Sequence, residues 1–209
     1  MKKFATIVLA MLAVAVCGGS AWAWEKPWAP KFVCAPAKVK VLPQAKAAAF
    51  YRKHDAGVGN FVSYDYAKGA AVDLNADGVL DYVYVNTYLG NGLNADLNNV
   101  VFVVSDGKGG RVESEIDGFD ADIDDVVIVK GKVYFRHSDF FEHFEKSAHN
   151  HWVYQLFAFK KNGKMTCANA DFPAVFPAVT IFYNNPKFKQ IELTAADRAK
   201  IADKFKLVK

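Results

Sequence analysis

Between Asp73 and Asp81 the oxygen-bearing side chains recur on alternate positions: Asp73, Asn75, Asp77 and, beyond Gly78, Asp81. A hard cation needs that donor chemistry, since calcium takes about six to eight oxygen ligands from carboxylates, amides and backbone carbonyls. Gly78 permits a sharp turn at the sixth position, and the carbonyl of Val79 at the seventh can add a ligand. Calcium is the cofactor this pattern predicts, held as a structural clip by Asp73, Asn75, Asp77, the Val79 carbonyl and Asp81. Magnesium fits less well, because it keeps an octahedral shell with several waters. The competing reading is an Asx-rich turn, which Asp, Asn and Gly build without an ion. Tyr84 stands at position 12 where an EF-hand has Glu, and Tyr82–Val85 continues as a strand, not a helix.

Two further segments bring metal-ligating types together. Glu113 to Asp125 holds seven carboxylates in thirteen residues, too much like charge to pack without a cation; it reads as a solvated loop or a second cation site. Four of the five histidines lie between His137 and His151, with Glu142 and Glu145 among them. His149 and His151 alternate onto one strand face and His143 could fold over from the loop, which would suit zinc or copper. No HExxH spacing supports that site, and Phe140, Phe141, Phe144 and Trp152 equally suit a half-buried hairpin loop.

Enzyme signatures are missing from the chain. There is no G-x-S-x-G elbow, phosphate loop, dinucleotide fingerprint, CxxC or CxxCH. Ser105 and Lys108 match S-x-x-K, but Asp106-Gly-Lys-Gly-Gly110 reads as a hairpin turn, whereas that motif needs a helix. The formal charge of +4 on 209 residues is too mild for a nucleic-acid binder.

The elements that would position these residues follow from periodicity. Pro43 followed by Gln44–His54, rich in alanine, with Gly57 just beyond, predicts a short helix. From Phe61 the period becomes two: Phe61–Tyr66, Leu80–Val85 and the apolar run Val100–Val104 read as strands. Val126–Val129 and Val133–Phe135 flank Lys130-Gly131-Lys132. Trp152–Phe159 and Lys164–Cys167 flank Asn162-Gly163, and Ala178–Tyr183 and Phe188–Leu193 flank Asn184-Asn-Pro186. Such hairpins predict a mostly β fold, an antiparallel sheet, sandwich or partial barrel. Thr194, with Asp197 three residues on, opens a predicted C-terminal helix.

The ends of the chain point to export. Met1-Lys2-Lys3, the apolar run to Val16 and Ala21-Trp22-Ala23 form a cleavable secretory signal over residues 1–23. The run is too short for a membrane span. Val16 stands before Cys17 where lipidation wants a small residue, which argues against a lipoprotein. The mature chain, 24–209, then reads as one β-rich domain with a Pro-rich arm, residues 24–43, and a net charge of +2 once Lys2 and Lys3 are removed. In an oxidising compartment its two cysteines, Cys34 and Cys167, are expected to form a disulfide, the alternative being two unpaired thiols.

The loop-then-strand pattern Asp73-Leu-Asn-Ala-Asp-Gly-Val-Leu-Asp81 resembles the calcium loop of FG-GAP or VCBS-type repeats over residues 71–86. That resemblance implies the same five metal contacts; propeller members carry several copies and this chain has one. The Asp-Leu-Asn-Ala-Asp-Gly loop and the Tyr/Val strand after it also resemble periplasmic inhibitors of invertebrate-type lysozymes. That family implies a Ser-Gly inhibitory loop, where this chain has Leu89-Gly-Asn-Gly92. The expected function is an exported, periplasmic or secreted, calcium-stabilised binding module, inhibitor-like, for a protein or glycan of the envelope or extracellular space. Tyr88–Leu93 and the histidine loop are the candidate contact loops. The alternative is a hydrolase acting through its carboxylates or a histidine-bound metal.

Overall fold

The structure, a computed structural model, describes residues 34–55, 63–88, 97–119, 121–141, 150–182, 189–191 and 196. Helix α1 spans Gln44–His54 and begins at Pro43, whose missing N–H costs nothing at a helix start. The described residues also form twelve strands: β1 (Ala35–Pro36), β2 (Lys40–Val41), β3 (Lys68–Val72), β4 (Asp81–Tyr88), β5 (Leu97–Ser105), β6 (Arg111–Phe119), β7 (Val126–Val129), β8 (Lys132–Phe141), β9 (Asn150–Phe159), β10 (Met165–Cys167), β11 (Ala178–Phe182) and β12 (Lys189–Ile191).

All strand pairs are antiparallel and form two sheets. The first has the order β2-β3-β4-β5-β6; the second runs β1-β7-β8-β9-β11-β12, with β10 also paired to β9. Alternation sets which side chains each face buries. Val83, Val85, Val100, Phe102 and Val104 from the first sheet meet Val126, Phe135, Phe157, Phe159 and Met165 from the second in one core, giving a sandwich. Phe102 is its centre, with ring centroids 4.9 Å from both Phe135 and Phe159. On the outer face of the first sheet, Ala47, Ala48 and Tyr51 of α1 cover Tyr84, Val101 and Val103. The outer face of the second, around Tyr134, Tyr154 and Leu156, is covered by the chain between Ala168 and Ala178. The arm joins the layers, since β1 pairs with β7 in one sheet and β2 with β3 in the other.

The mostly β expectation therefore holds, and the hairpins at Lys130-Gly131 and Asn162-Gly163 form where expected. Lys130 and Gly131 both have positive φ, 51° and 78°, as a two-residue primed turn requires. Three expectations need correction. Residues 63–66 are not a strand: Tyr64 lies beside the Tyr51 ring, a turn follows, and the strand is Lys68–Val72. The stretch from Glu113 is no loop, because its first half is β6, an edge strand on which Glu113, Glu115 and Asp117 point outward into water. Asp122 and Asp125 then close a capping box on a 3₁₀ turn, Ile123–Asp125.

The third correction concerns the cysteines, which are both free thiols. Cys34 packs on the outer cluster of the second sheet, whereas Cys167 is the register partner of Phe157, whose side chain lies in the inner core. They thus belong to opposite faces. They are also four strand steps apart, roughly 19 Å at about 4.8 Å per step, against an upper limit near 7 Å between the Cα atoms of a disulfide. Of the predicted C-terminal helix only Ala196 is described, and it is helical. The expected secretory signal, residues 1–23, together with residues 24–33 of the arm and Asp120, lies outside the described residues.

Candidate functional site

Three turns meet at one end of the sandwich: the β3–β4 loop, the β5–β6 turn and the β9–β10 turn. The first folds on its own side chains. The Gly78 N–H donates to Asp73 Oδ2 (2.9 Å), and the Asp77 N–H is shared by Asp73 Oδ1 and Asn75 Oδ1, each at 3.2 Å. Val79 N–H donates to Asp77 Oδ1 at 2.8 Å. Ala76 and Gly78 take the left-handed region, φ 57° and 87°, which turns the backbone inward so that these amides face the carboxylates.

Asp81 is the first residue of β4, and its side chain is completely buried. Its two oxygens accept one backbone N–H each, from Leu74 (2.8 Å) and Ser105 (2.7 Å). The carboxylate therefore ties the loop to the end of β5. Burial pushes its carboxyl above the usual range, with the nearby charges of Asp77 and Asp73 adding to the rise and the two N–H bonds opposing it. The Arg111 guanidinium stands 3.8 Å away, donates to the Leu80 carbonyl (2.9 Å) and lies over the Tyr82 ring. Asp77 behaves oppositely: the Val79 N–H bond, followed by one from Ser105, holds its carboxyl below the usual range.

Asn75 links all three turns. Its Nδ2 donates to the Ser105 carbonyl at 2.9 Å, with longer contacts to Asp77 Oδ2 (3.2 Å) and the Lys161 carbonyl (3.5 Å). Asp106 stabilises the β5–β6 turn, its Oδ1 accepting N–H bonds from Lys108 (2.7 Å) and Gly110 (2.9 Å). This turn confirms the hairpin reading of the S-x-x-K match. Gly163 closes the β9–β10 turn with φ 77°, so near β5 that a Cβ there would lie 3.0 Å from the carbonyls of Val104 and Ser105. Between the turns opens a cleft of about 590 Å³, lined by Asp77, Val79, Asp106, Lys108, Arg111 and Lys161 among others.

The donors at Asp73, Asn75 and Asp77 are all oxygens, which suits a hard cation and not zinc or copper. Among the described residues no three His, Cys, Asp or Glu side chains come together as a metal-ligand group. An ion here would draw on the five expected groups, the Asp73, Asp77 and Asp81 carboxylates, the Asn75 amide and the Val79 carbonyl, whose side-chain oxygens already accept hydrogen bonds within the loop and from Ser105. The second candidate centre is not assembled on the described residues: His143 and His149 lie outside them, and His151 is known only as the β9 partner of Phe141 and Ile181. His137 is buried on β8 and its Nε2 meets the Asp117 carbonyl at 2.8 Å, which ties the two sheets together. The Leu89–Gly92 stretch also lies outside the described residues. Sequence reasoning missed Arg111 and the carbonyls of Ser105 and Lys161. The turns bearing the last two are visible as DGKGG and NG, but nothing local says that they converge on Asn75.

No helix among the described residues is long and apolar enough to cross a membrane. Compared with protein families, curated proteins and solved structures, the chain matches none.

Proposed function

We propose that this chain is an exported, periplasmic or secreted, calcium-clipped binding module whose recognition surface is the three-turn end of the sandwich. The observation that carries this reading is the cross-bracing by Asn75 and Asp81. It holds three turns rigidly around one cleft, and rigidly presented loops are where β scaffolds commonly carry recognition. Calcium at Asp73, Asn75, Asp77, the Val79 carbonyl and Asp81 would offset the repulsion among the three carboxylates and stiffen the same loop. The partner is a protein or glycan of the envelope, met by Lys108 and Lys161 beside the exposed Val79 and Leu80. An inhibitor-like role, the narrower form of the proposal, is supported only by the resemblance around residues 73–85.

The test pairs a melt with a capture. Extracellular calcium modules bind at roughly 0.1–1 mM, so about 10 mM calcium should stabilise the fold by ~1.4–2.7 kcal/mol relative to chelator. For a domain of this size that is about 3–11 °C in Tm. Capture from envelope extract should require calcium and be lost in Lys108→Glu/Lys161→Glu. An unchanged Tm removes calcium from the reading; capture indifferent to the double substitution removes the cleft.

A further inference from the structure

Two separate segments wall the cleft at the three-turn end. The β5–β6 turn brings Lys108 and Arg111, and the β9–β10 turn brings Lys161 and Asn162. These turns pack directly on each other, because a Cβ on Gly107 would lie 3.3 Å from the Lys161 carbonyl. The wall therefore holds its shape, and its glycines present bare backbone to whatever enters. At about 590 Å³ the space lies in the range of small-molecule sites. A standard protein partner needs more, about 800 Å² of matching surface on each side.

Charge decides what kind of molecule fits. Arg111 is fixed before any ligand arrives: its guanidinium donates to the carbonyls of Leu80 (2.9 Å) and Val103 (3.3 Å) and lies 4.8 Å from the Tyr82 ring centroid. Its side chain is still 34% exposed, and two carbonyls use only two of the N–H donors of a guanidinium. Lys108 and Lys161 are exposed and make no ion pair among the described residues. The two carboxylates of the lining are turned to their own loops. Asp106 Oδ1 accepts the N–H groups of Lys108 and Gly110, and Asp77 accepts from the Val79 N–H and Asn75 Nδ2. Three cations thus face two carboxylates already engaged by amides, and the cleft favours an anion. Among the described residues no aromatic side chain lines it, so neither a nucleobase nor a neutral sugar finds a ring to stack on. Charge and hydrogen bonding must carry recognition.

We propose that the ligand of this cleft is an acidic glycan, a hydroxylated sugar chain bearing carboxylate or sulfate groups. Lys108, Lys161 and Arg111 hold the anionic groups, while the Asn162 amide, both donor and acceptor, and the Asp106 carboxylate take the hydroxyls. The lysines stand on different turns, so successive charges along one sugar chain can be met from both walls. The inference rests on the reading of the three-turn end as the recognition surface and narrows its partner to one class.

Titration of the chain from Trp24 onward, in calcium buffer, tests it by calorimetry and by the amide shifts of Gly107, Gly109 and Asn162. The probes are a hyaluronan hexasaccharide, which carries carboxylates alone, a chondroitin sulfate hexasaccharide, which adds sulfate, neutral maltohexaose, and an oligoglutamate of matched charge. An acidic sugar should bind one per chain, more weakly as salt rises, and the tighter of the two names the anion. Maltohexaose should leave the shifts unchanged. Lys108→Ala/Lys161→Ala should weaken the binding about tenfold or more with Tm unchanged. Binding matched by maltohexaose or oligoglutamate, or full affinity in the double variant, overturns the proposal. If both acidic sugars fail while capture from envelope extract still needs Lys108 and Lys161, this inference falls and the recognition surface stands, with a protein as its partner. Failure of both removes the surface as well.

Discussion

Replacing Asp81 by Asn exchanges one carboxylate oxygen for an amide NH₂ where both oxygens are in use. One of the two N–H groups, Leu74 or Ser105, loses its acceptor and faces a donor inside the sandwich end. A hydrogen bond to a charged group is worth about 1.5–3 kcal/mol and an orphaned buried donor costs about 1–3 kcal/mol; some of this is returned because a buried charge is removed. The expected net loss is about 2–3 kcal/mol, or about 4–12 °C in Tm for a domain of this length. The sign of its pH dependence follows from the raised carboxyl of Asp81. A carboxyl whose folded pKa lies above its unfolded value, about 3.9, adds stability that is full below that value and is lost as pH rises through the raised one. Asp81→Asn lacks this contribution, so its deficit should be larger near about pH 4 and smaller near about pH 7. Urea unfolding in chelator at both pH values measures it. A deficit below about 0.5 kcal/mol would show that the carboxylate braces nothing, and a deficit that grows with pH would show that burial does not dominate its ionisation.

Thiol titration of the unfolded, unreduced chain from Trp24 onward should count two reactive cysteines, and none would mean that the sheet faces are misassigned. Gly163→Ala puts a methyl 3.0 Å from two β5 carbonyls at φ 77°, so it should destabilise by about 1–3 kcal/mol in urea unfolding, whereas Gly131→Ala meets no atom within 4 Å and pays only for its φ. Asp171 accepts bonds from Lys132 Nζ (2.7 Å) and the Tyr134 hydroxyl (2.9 Å), and Lys132 leads in holding its carboxyl below the usual range. The pair is exposed, so Asp171→Asn should cost less than about 1 kcal/mol near pH 7. That cost should vanish as pH falls through the lowered value, which unfolding curves at two pH values would detect.

Much of the framework is legible locally. The bounds of α1 match because Pro43 suits a helix start and the alanine run has strong helical propensity. The two-residue turn at Lys130-Gly131 is legible because it needs positive φ at both positions and only a few residues tolerate that. Strand β3 is not legible, since Lys-Gly-Ala-Ala-Val has weak β propensity. Its small residues answer a neighbour instead: a Cβ on Gly69 would lie 3.1 Å from the Tyr84 ring. The acidic run misleads for a related reason. Alternation of Glu113, Glu115 and Asp117 with Val112, Ser114 and Ile116 is a strand pattern, but charge density alone suggests a loop. On an unpaired edge such charge is tolerated and discourages pairing with another chain.

Residue types and spacing by themselves determined the β character, most hairpins, the helix and the oxygen-rich loop, because backbone geometry and period act over a few residues. Which turns share an end of the sandwich, which faces the two thiols occupy, and how Asn86 and Asn99 come to lie buried beneath α1 were decided only by tertiary packing. Those relations join residues 30 to 130 positions apart through sheet order and register, and no local preference carries information over that distance.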